Sequence, residues 1–168
     1  IKYLYDLGHR KIAHIACPLS SIAGKERYAA YKDFLKSKGI EENPKYFVEA
    51  EEFTPDAGNK AISMLLQQCG DDKPTAIFIG DDDYAFAIIS TLKYLGYKIP
   101  EDFSIVGFDN VKMSGYTYPT LTTIDQDRKI IGYKSADILV KLMEGKEISE
   151  PLENRIPTKL IIRNSCSR

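Results

Sequence analysis

The sequence predicts an α/β fold in which a parallel sheet is covered by helices on both faces. Short, almost continuously apolar segments recur roughly every 30 residues, and a helical pattern of apolar residues lies between each pair. Continuous apolar runs are typical of strands buried on both faces, and their alternation with helices is the βαβ rhythm of a parallel sheet. We therefore expect right-handed crossovers and a ligand-binding rim at the carboxyl ends of the strands.

The predicted strands are short and rich in β-branched and aromatic residues, which favour extended backbone. Pro18 directly follows the first of them and ends it. A less regular stretch follows the fourth strand up to Pro119, and a polar loop at 147–154 precedes the last two strands. The predicted strands cover residues 11–17, 46–50, 75–79, 103–108, 121–124, 155–156 and 159–162.

The predicted helices carry apolar residues at three- and four-residue spacing and end at typical capping residues. Thr54 is placed to cap a helix that begins at Pro55, and Gly39 and Gly96 each end a helix before an apolar residue. The chain opens at Ile1 inside a further helical run, so we interpret it as a fragment. The predicted helices cover residues 1–7, 22–38, 55–68, 83–95 and 128–143.

Functional side chains follow the first four strands, close to the point where each strand ends. Arg27 comes after the first strand, Phe53 after the second, Asp81 after the third and Asp109 after the fourth. Carboxylates accept hydrogen bonds from pairs of hydroxyls, and Arg supplies a fixed fork of donors. An aromatic ring covers the C–H face of a sugar or base. Because these strand ends should share one rim, the set suits a small polyol, sugar or purine.

Each of these residues also has a structural interpretation. An Asp after a strand often caps the next helix, and for Asp82 and Asp83 this interpretation is at least as good as ligand contact. Asp81 and Asp109 favour ligand contact, because each directly follows a buried strand. Arg27 could pair with a nearby carboxylate or lie in solvent, and Phe53 could belong to the core.

Composition and charge exclude several classes of function. The formal net charge is −1, so the chain has no overall attraction to nucleic acid or to an anionic membrane. No apolar run approaches the roughly 20 residues that a transmembrane helix needs. The 3 cysteines are widely spaced, which favours reduced thiols and a cytoplasmic protein. The 2 histidines cannot build a His-rich metal site alone, and we expect no cofactor.

Four sequence blocks, in order along nearly the whole chain, carry a resemblance to a known family. They are GHRKIAHI at 8–15, PTAIF at 74–78, IPEDFSIVGFDN at 99–110 and PTLTTI at 119–124. Together they resemble the effector-binding core of lactose-repressor/galactose-repressor family regulators. The third and fourth blocks are specific to that family.

The resemblance implies a periplasmic-binding-protein-like core of two α/β lobes with an effector in the cleft between them. Residues 1–118 would form the C-terminal lobe, 119–153 a crossover strand and helix that normally belong to the N-terminal lobe, and 154–168 the return. Regulators of this kind act as homodimers in which the effector shifts the lobes and so controls operator binding. Their helix-turn-helix domain is absent from these 168 residues, so we expect operator contact only through that missing domain.

By the same resemblance, six residues fall on effector-contact positions, and Asp82 matches an aspartate that looks structural. The run at 81–83 is more acidic than the one or two aspartates usual in the family, and Ser21 and Ala23 are small where purine-specific members carry larger polar groups. This difference favours a sugar over a purine. The six residues are Ser21, Arg27, Phe53, Asp81, Asp109 and Gln126.

Three other functions share parts of this pattern. An aspartate-dependent phosphatase would carry the pair Asp81 and Asp83 on its first strand, whereas here it follows the third and precedes Ala85. A phosphoacceptor receiver domain needs a Lys where Asp109 stands. The sequence contains no nucleophile–His–acid set, P-loop or GxGxxG, so we expect no enzyme. A transport system's sugar-binding protein has the same core and remains the main alternative.

The helix at 128–143 carries an apolar stripe that the missing lobe would normally cover. Ile131, Ile138, Leu139 and Leu142 lie on this stripe. Exposing such a surface to water is costly. We therefore expect the helix either to fold back onto its own sheet or to swap onto another copy of the chain.

Overall fold

The computed structural model describes residues 1–146 and 155–168, and it confirms the predicted α/β class. Helices lie on both faces of a sheet, and two short 3₁₀ turns at Pro44–Tyr46 and Lys112–Gly115 were not predicted. The strands are β1 Ile12–Ala16, β2 Phe47–Glu49, β3 Ala76–Ile79, β4 Ser104–Phe108, β5 Thr122–Asp125 and β6 Lys159–Ile161. The helices are α1 Lys2–Asp6, α2 Ile22–Ser37, α3 Pro55–Cys69, α4 Asp82–Tyr94 and α5 Arg128–Met143.

Within the described residues the sheet has the order β2-β1-β3-β4-β5-β6. The first five strands run parallel, and β6 pairs antiparallel to β5. The carboxyl ends of β1 to β5 therefore meet at one rim, as the sequence predicts. Strand β5 lies beyond residue 118 but belongs to the same sheet as the first four strands. The proposed lobe boundary at residue 118 stays a prediction.

Alternating side chains of the central strands enter two separate apolar layers. Ile77 and Ile105 contribute to the layer on the α3/α4 side, where Tyr84 is fully buried. Phe78 and Val106 contribute to the layer on the α1/α2 side. Burial on both faces explains why the strand sequences are continuously apolar.

The predicted strand at 155–156 is wrong, because residues 155–158 have no strand pairing. The antiparallel ladder of β6 begins where Lys159 faces Asp125, the last residue of β5. Residues before Lys159 would lie beyond the end of β5 and therefore have no β5 residue to pair with. The predicted polar loop at 147–154 lies outside the described residues.

Helix α5 spans the predicted residues, but it does not fold back onto the sheet. None of its residues is buried, and the Leu139 and Met143 side chains are 58% and 80% exposed. Asp127 caps the helix by accepting a hydrogen bond from the Ile130 N–H at 3.2 Å. The cap follows directly after β5, which ends at Asp125. The fold-back expectation is therefore wrong, and the swap onto another copy stays a prediction.

Among the described residues, no helix is both long enough and apolar enough to cross a bilayer.

Candidate functional site

Arg27 connects α2 to the carboxyl ends of two neighbouring strands. Its Nη1 donates a hydrogen bond to the Gly80 carbonyl at 2.6 Å, directly after β3. Its guanidinium carbon lies 3.7 Å from the centroid of the Phe108 ring at the end of β4. Nη1 also lies 3.6 Å from the Cys17 Sγ. The Arg27 side chain is thus fixed at the rim by the Phe108 ring, the Gly80 carbonyl and the Cys17 thiol.

Asp81 is the residue that caps α4. Its Oδ1 accepts a hydrogen bond from the Asp83 N–H at 2.8 Å. Among the described residues, no hydrogen-bond partner is found for its second carboxylate oxygen. Capping and ligand contact are therefore compatible, since one oxygen stabilises the helix and the other is available at the rim.

Asp109 lies at the rim beside Asp81, in a backbone conformation that is rare for a residue with a side chain. Its φ is 116°, and its Oδ1 accepts a hydrogen bond from Gln126 Nε2. Arg128 Nη2 lies 3.8 Å from the same oxygen. Burial, followed by the negative charge of Asp81, raises the pKa of Asp109 to about 6, while Arg27, Gln126 and Arg128 oppose the shift.

Asp82 is buried below the rim and satisfies three donors. Its Oδ2 accepts from the Val111 N–H at 3.0 Å and the Ser114 hydroxyl at 2.6 Å, and its Oδ1 accepts from the Thr123 hydroxyl at 2.6 Å. Burial raises the pKa of Asp82, and these hydrogen bonds act in the opposite direction. Asp82 therefore fastens α4 to the loop after β4 and to β5, which agrees with the structural interpretation.

The hydroxyl of Ser21 is engaged in capping α2. It accepts a hydrogen bond from the Gly24 N–H at 3.0 Å and donates one to the Pro18 carbonyl at 2.7 Å. Phe53 is 55% exposed beyond β2. The structure brings Arg27, Asp81, Asp109 and Gln126 together, and among the described residues no hydrogen bond, ion pair or ring contact joins Ser21 or Phe53 to these four. Effector contact by any of the six stays a prediction.

The sequence did not indicate two further members of this cluster. The Phe108 ring packs against the Arg27 guanidinium, and Arg128 adds a second cation beside Asp109. Phe108 could have been found from strand alternation, because it shares the face of Val106 and is the last residue before Asp109. Arg128 gave no such signal, because it begins a helix after an irregular turn.

An apolar cavity of about 390 Å³ lies on the α1/α2 face of the sheet. Tyr31, Phe34 and Phe78 contribute to its lining. Arg27 and Phe108 line it as well and so belong to both the cavity and the rim, whereas Asp81 and Asp109 do not line it.

The rim offers hydrogen-bond acceptors, one fixed guanidinium and an amide. In the described part of the chain, no group of three or more His, Cys, Asp and Glu side chains is arranged to hold a metal ion. Burial raises the pKa of Cys17, the thiol nearest Arg27, to about 11, so the thiol is protonated at neutral pH. The arrangement is therefore suited to binding a small molecule that donates hydrogen bonds.

Comparison with known proteins finds transcriptional repressors among the relatives of this chain. Residues 1–166 match the family described as a periplasmic binding protein-like domain. The chain is 33% identical over 168 residues to the repressor PurR of Mannheimia succiniciproducens and 36% identical over 165 residues to the repressor CytR of Escherichia coli K12. These matches cover 99% and 98% of the chain but 49% and 47% of the two repressors, so it spans about half of their length.

Solved structures give the same result. The complex of the regulator CelR with cellobiose matches 98% of this chain and 49% of its own, with a TM-score of 0.90 and 32% identity. Other neighbours are regulators of the LacI family, one of them named as a dimer bound to operator. The two repressors and these structural neighbours are named as regulators. The chain therefore belongs to the periplasmic binding protein-like family and corresponds to the effector-binding core of a lactose-repressor/galactose-repressor family regulator.

Proposed function

We propose that this chain is the effector-sensing part of a bacterial transcriptional repressor and that its effector is a sugar. The observation that carries the proposal is the convergence of Asp81, Asp109 and Arg27 at one rim of the sheet. In open α/β sheets this rim is the place where ligands bind. The effector would lie between the rim and a second lobe outside the described structure.

The free acceptors at the rim favour a ligand with several hydroxyl groups. Asp81 keeps one carboxylate oxygen that is not engaged in capping, and Asp109 is held in place by Gln126. Neighbouring hydroxyls of a sugar donate in pairs to such carboxylates. The exposed Phe53 ring is available to cover one face of the ligand. The cellobiose bound by a structural neighbour supports a sugar over a purine.

The regulatory step would be a shift between two arrangements of the lobes. An effector that binds one arrangement more tightly than the other raises its population. The shift would reach operator DNA through a homodimer and a helix-turn-helix domain outside these residues. With a net charge of −1, this part has no overall electrostatic attraction to DNA. We place the protein in the cytoplasm, where its operator is.

Isothermal titration calorimetry of the full-length protein tests this proposal. A panel of mono- and disaccharides, including cellobiose, should contain a ligand that binds, and adenine, hypoxanthine and guanine should not. Asp109→Ala should weaken the sugar at least tenfold, a loss of about 1.4 kcal/mol, in keeping with the loss of a charge-assisted hydrogen bond. Asp83→Ala is the matched control, because Asp83 is an exposed aspartate of the same acidic run.

Three results would contradict the proposal: binding of a purine alone, no binding by any compound of the panel, or a sugar affinity that Asp109→Ala leaves unchanged.

The alternative of a transport protein is tested by the gene sequence upstream of Ile1. A helix-turn-helix there supports the repressor, and a secretory signal peptide supports transport.

A further inference from the structure

The backbone turn that carries Asp109 is held by β5. Asp109 has a φ of 116° and Asn110 a φ of 47°, both in the left-handed region that residues with side chains rarely occupy. The Asp109 N–H donates to the Ile124 carbonyl at 2.8 Å, and the Asn110 N–H donates to the Thr123 hydroxyl at 3.3 Å. Strained backbone of this kind persists where surrounding contacts enforce it, and it concentrates at functional sites.

The side chain of Asn110 connects this turn to the C-terminal segment of the chain. Its Oδ1 accepts a hydrogen bond from Arg163 Nη2 at 2.7 Å, and its Nδ2 donates to Asp125 Oδ2 at 3.2 Å. Arg163 Nη1 donates to the Leu121 carbonyl at 2.6 Å. The planar fork of Arg163 therefore joins both ends of the stretch between β4 and β5.

We propose that Asn110 and Arg163 are positioning residues that hold the Asp109 carboxylate at the rim and couple it to the segment returning after α5. Arg163 lies two residues beyond β6, on the segment that leads back from the crossover. A displacement of this segment would move the Asn110 bridge and, with it, Asp109. The inference rests on the proposed function in one respect, the effector contact assigned to Asp109.

The surroundings of Asp109 provide a reporter of its position. The carboxylate faces Asp81 from α4, Arg27 from α2, and Gln126 and Arg128 after β5, and burial is the largest cause of its raised pKa. Release of the turn would expose the carboxylate to water and lower its pKa. Loss of a positive charge without movement would raise it instead. The direction of the change therefore separates a positioning role from a simple charge effect.

The experiment is a pH titration of the Asp109 carboxyl carbon by ¹³C NMR in the 168-residue chain and its variants. The wild-type midpoint should lie near pH 6. In Arg163→Met and in Asn110→Gly it should fall by about one unit or more, toward the ordinary aspartate value near 3.9. Because both substitutions break the same hydrogen bond between Asn110 and Arg163, the Asp109 midpoint of the double variant should fall no further than in the single variants.

Arg155→Met is the matched control, because Arg155 is an exposed arginine of the same C-terminal segment that pairs with Glu26 at 3.1 Å. It should leave the Asp109 midpoint unchanged. The proposal is overturned if folded Arg163→Met and Asn110→Gly keep the wild-type midpoint or raise it. If Arg163→Met does not fold, Asn110→Gly decides, since glycine suits the positive φ. No effector is present, so the result is independent of whether a sugar binds.

Discussion

The Arg27 guanidinium lies over the Phe108 ring, with 3.7 Å between its central carbon and the ring centroid. The same side chain donates a hydrogen bond to the Gly80 carbonyl at 2.6 Å. One residue of α2 thus connects the ends of β3 and β4, next to both rim carboxylates. This contact makes Arg27 a fixed part of the rim instead of a mobile surface cation.

Phe108→Leu should lower the free energy of unfolding by about 1–2 kcal/mol, because it removes the cation–π contact and part of a packed ring. Urea denaturation followed by circular dichroism measures the change. Lys32→Met is the control, because Lys32 makes an exposed cation–π contact with Tyr28 at 4.4 Å. Its effect should stay below about 0.5 kcal/mol. Equal effects of the two substitutions would show that the contact at the rim has no special strength.

The pKa of Asp109 should make stability depend on pH in a defined direction. Its folded pKa of about 6 is above the unfolded value near 3.9, so its contribution is complete below about pH 4 and is lost as the pH rises through 6. The stability of Asp109→Asn relative to the wild type should therefore increase between pH 4 and 6.5. Urea denaturation at a series of pH values measures this difference. A difference that is constant with pH, or that matches the Asp83→Asn control, would contradict the assignment.

His14 should produce the opposite dependence. Burial lowers the pKa of His14 to about 4, and its ring stacks on Phe78 with 4.6 Å between the centroids. Its contribution is complete above the unfolded value near 6.5 and is lost as the pH falls toward 4. His14→Phe, which removes the titrating group and the unpaired Nε2, should gain stability relative to the wild type as the pH falls. His9→Phe, at a partly exposed position, is the comparison, and an equal gain there would refute the assignment.

Gly107 should tolerate no side chain, because of the buried Asp82. A Cβ at this position would overlap Asp82 Oδ1 and lie 2.9 Å from Leu121 Cδ2. Gly107→Ala should therefore cost about 1–3 kcal/mol of unfolding free energy, the range for overpacking. Gly115→Ala meets no atom within 4 Å and serves as the control. Thermal unfolding of both variants measures the contrast, and similar melting temperatures would refute it.

The sheet and helices could be predicted because local signals and tertiary packing agree. The continuous apolar runs mark β1, β3 and β4, and the Thr54–Pro55 pair marks the start of α3. The details of the site depend on contacts between distant residues, such as Asn110 with Arg163, which no local pattern contains. Asp81 shows the limit most clearly, because a cap and a ligand contact produce the same sequence signal.

The exposed stripe of α5 should drive self-association of the 168-residue chain. Leu139 and Leu142 are 58% and 55% exposed on a helix that has no buried residue. An apolar surface of this kind favours contact with a second copy, as the swap prediction requires. Sedimentation velocity should detect concentration-dependent dimers of the wild type. The double variant Leu139→Lys, Leu142→Glu should raise the dissociation constant of the dimer at least tenfold.

The matched control for α5 is Ile22→Lys, which changes an apolar residue that is 78% exposed at the start of α2. This variant should dimerise as the wild type does, because α5 is intact. Dimers that persist in the Leu139 and Leu142 variant, or that disappear in Ile22→Lys, would assign the interface to another surface. A wild-type chain that stays monomeric at all concentrations would show that α5 remains hydrated, and the swap prediction would be wrong.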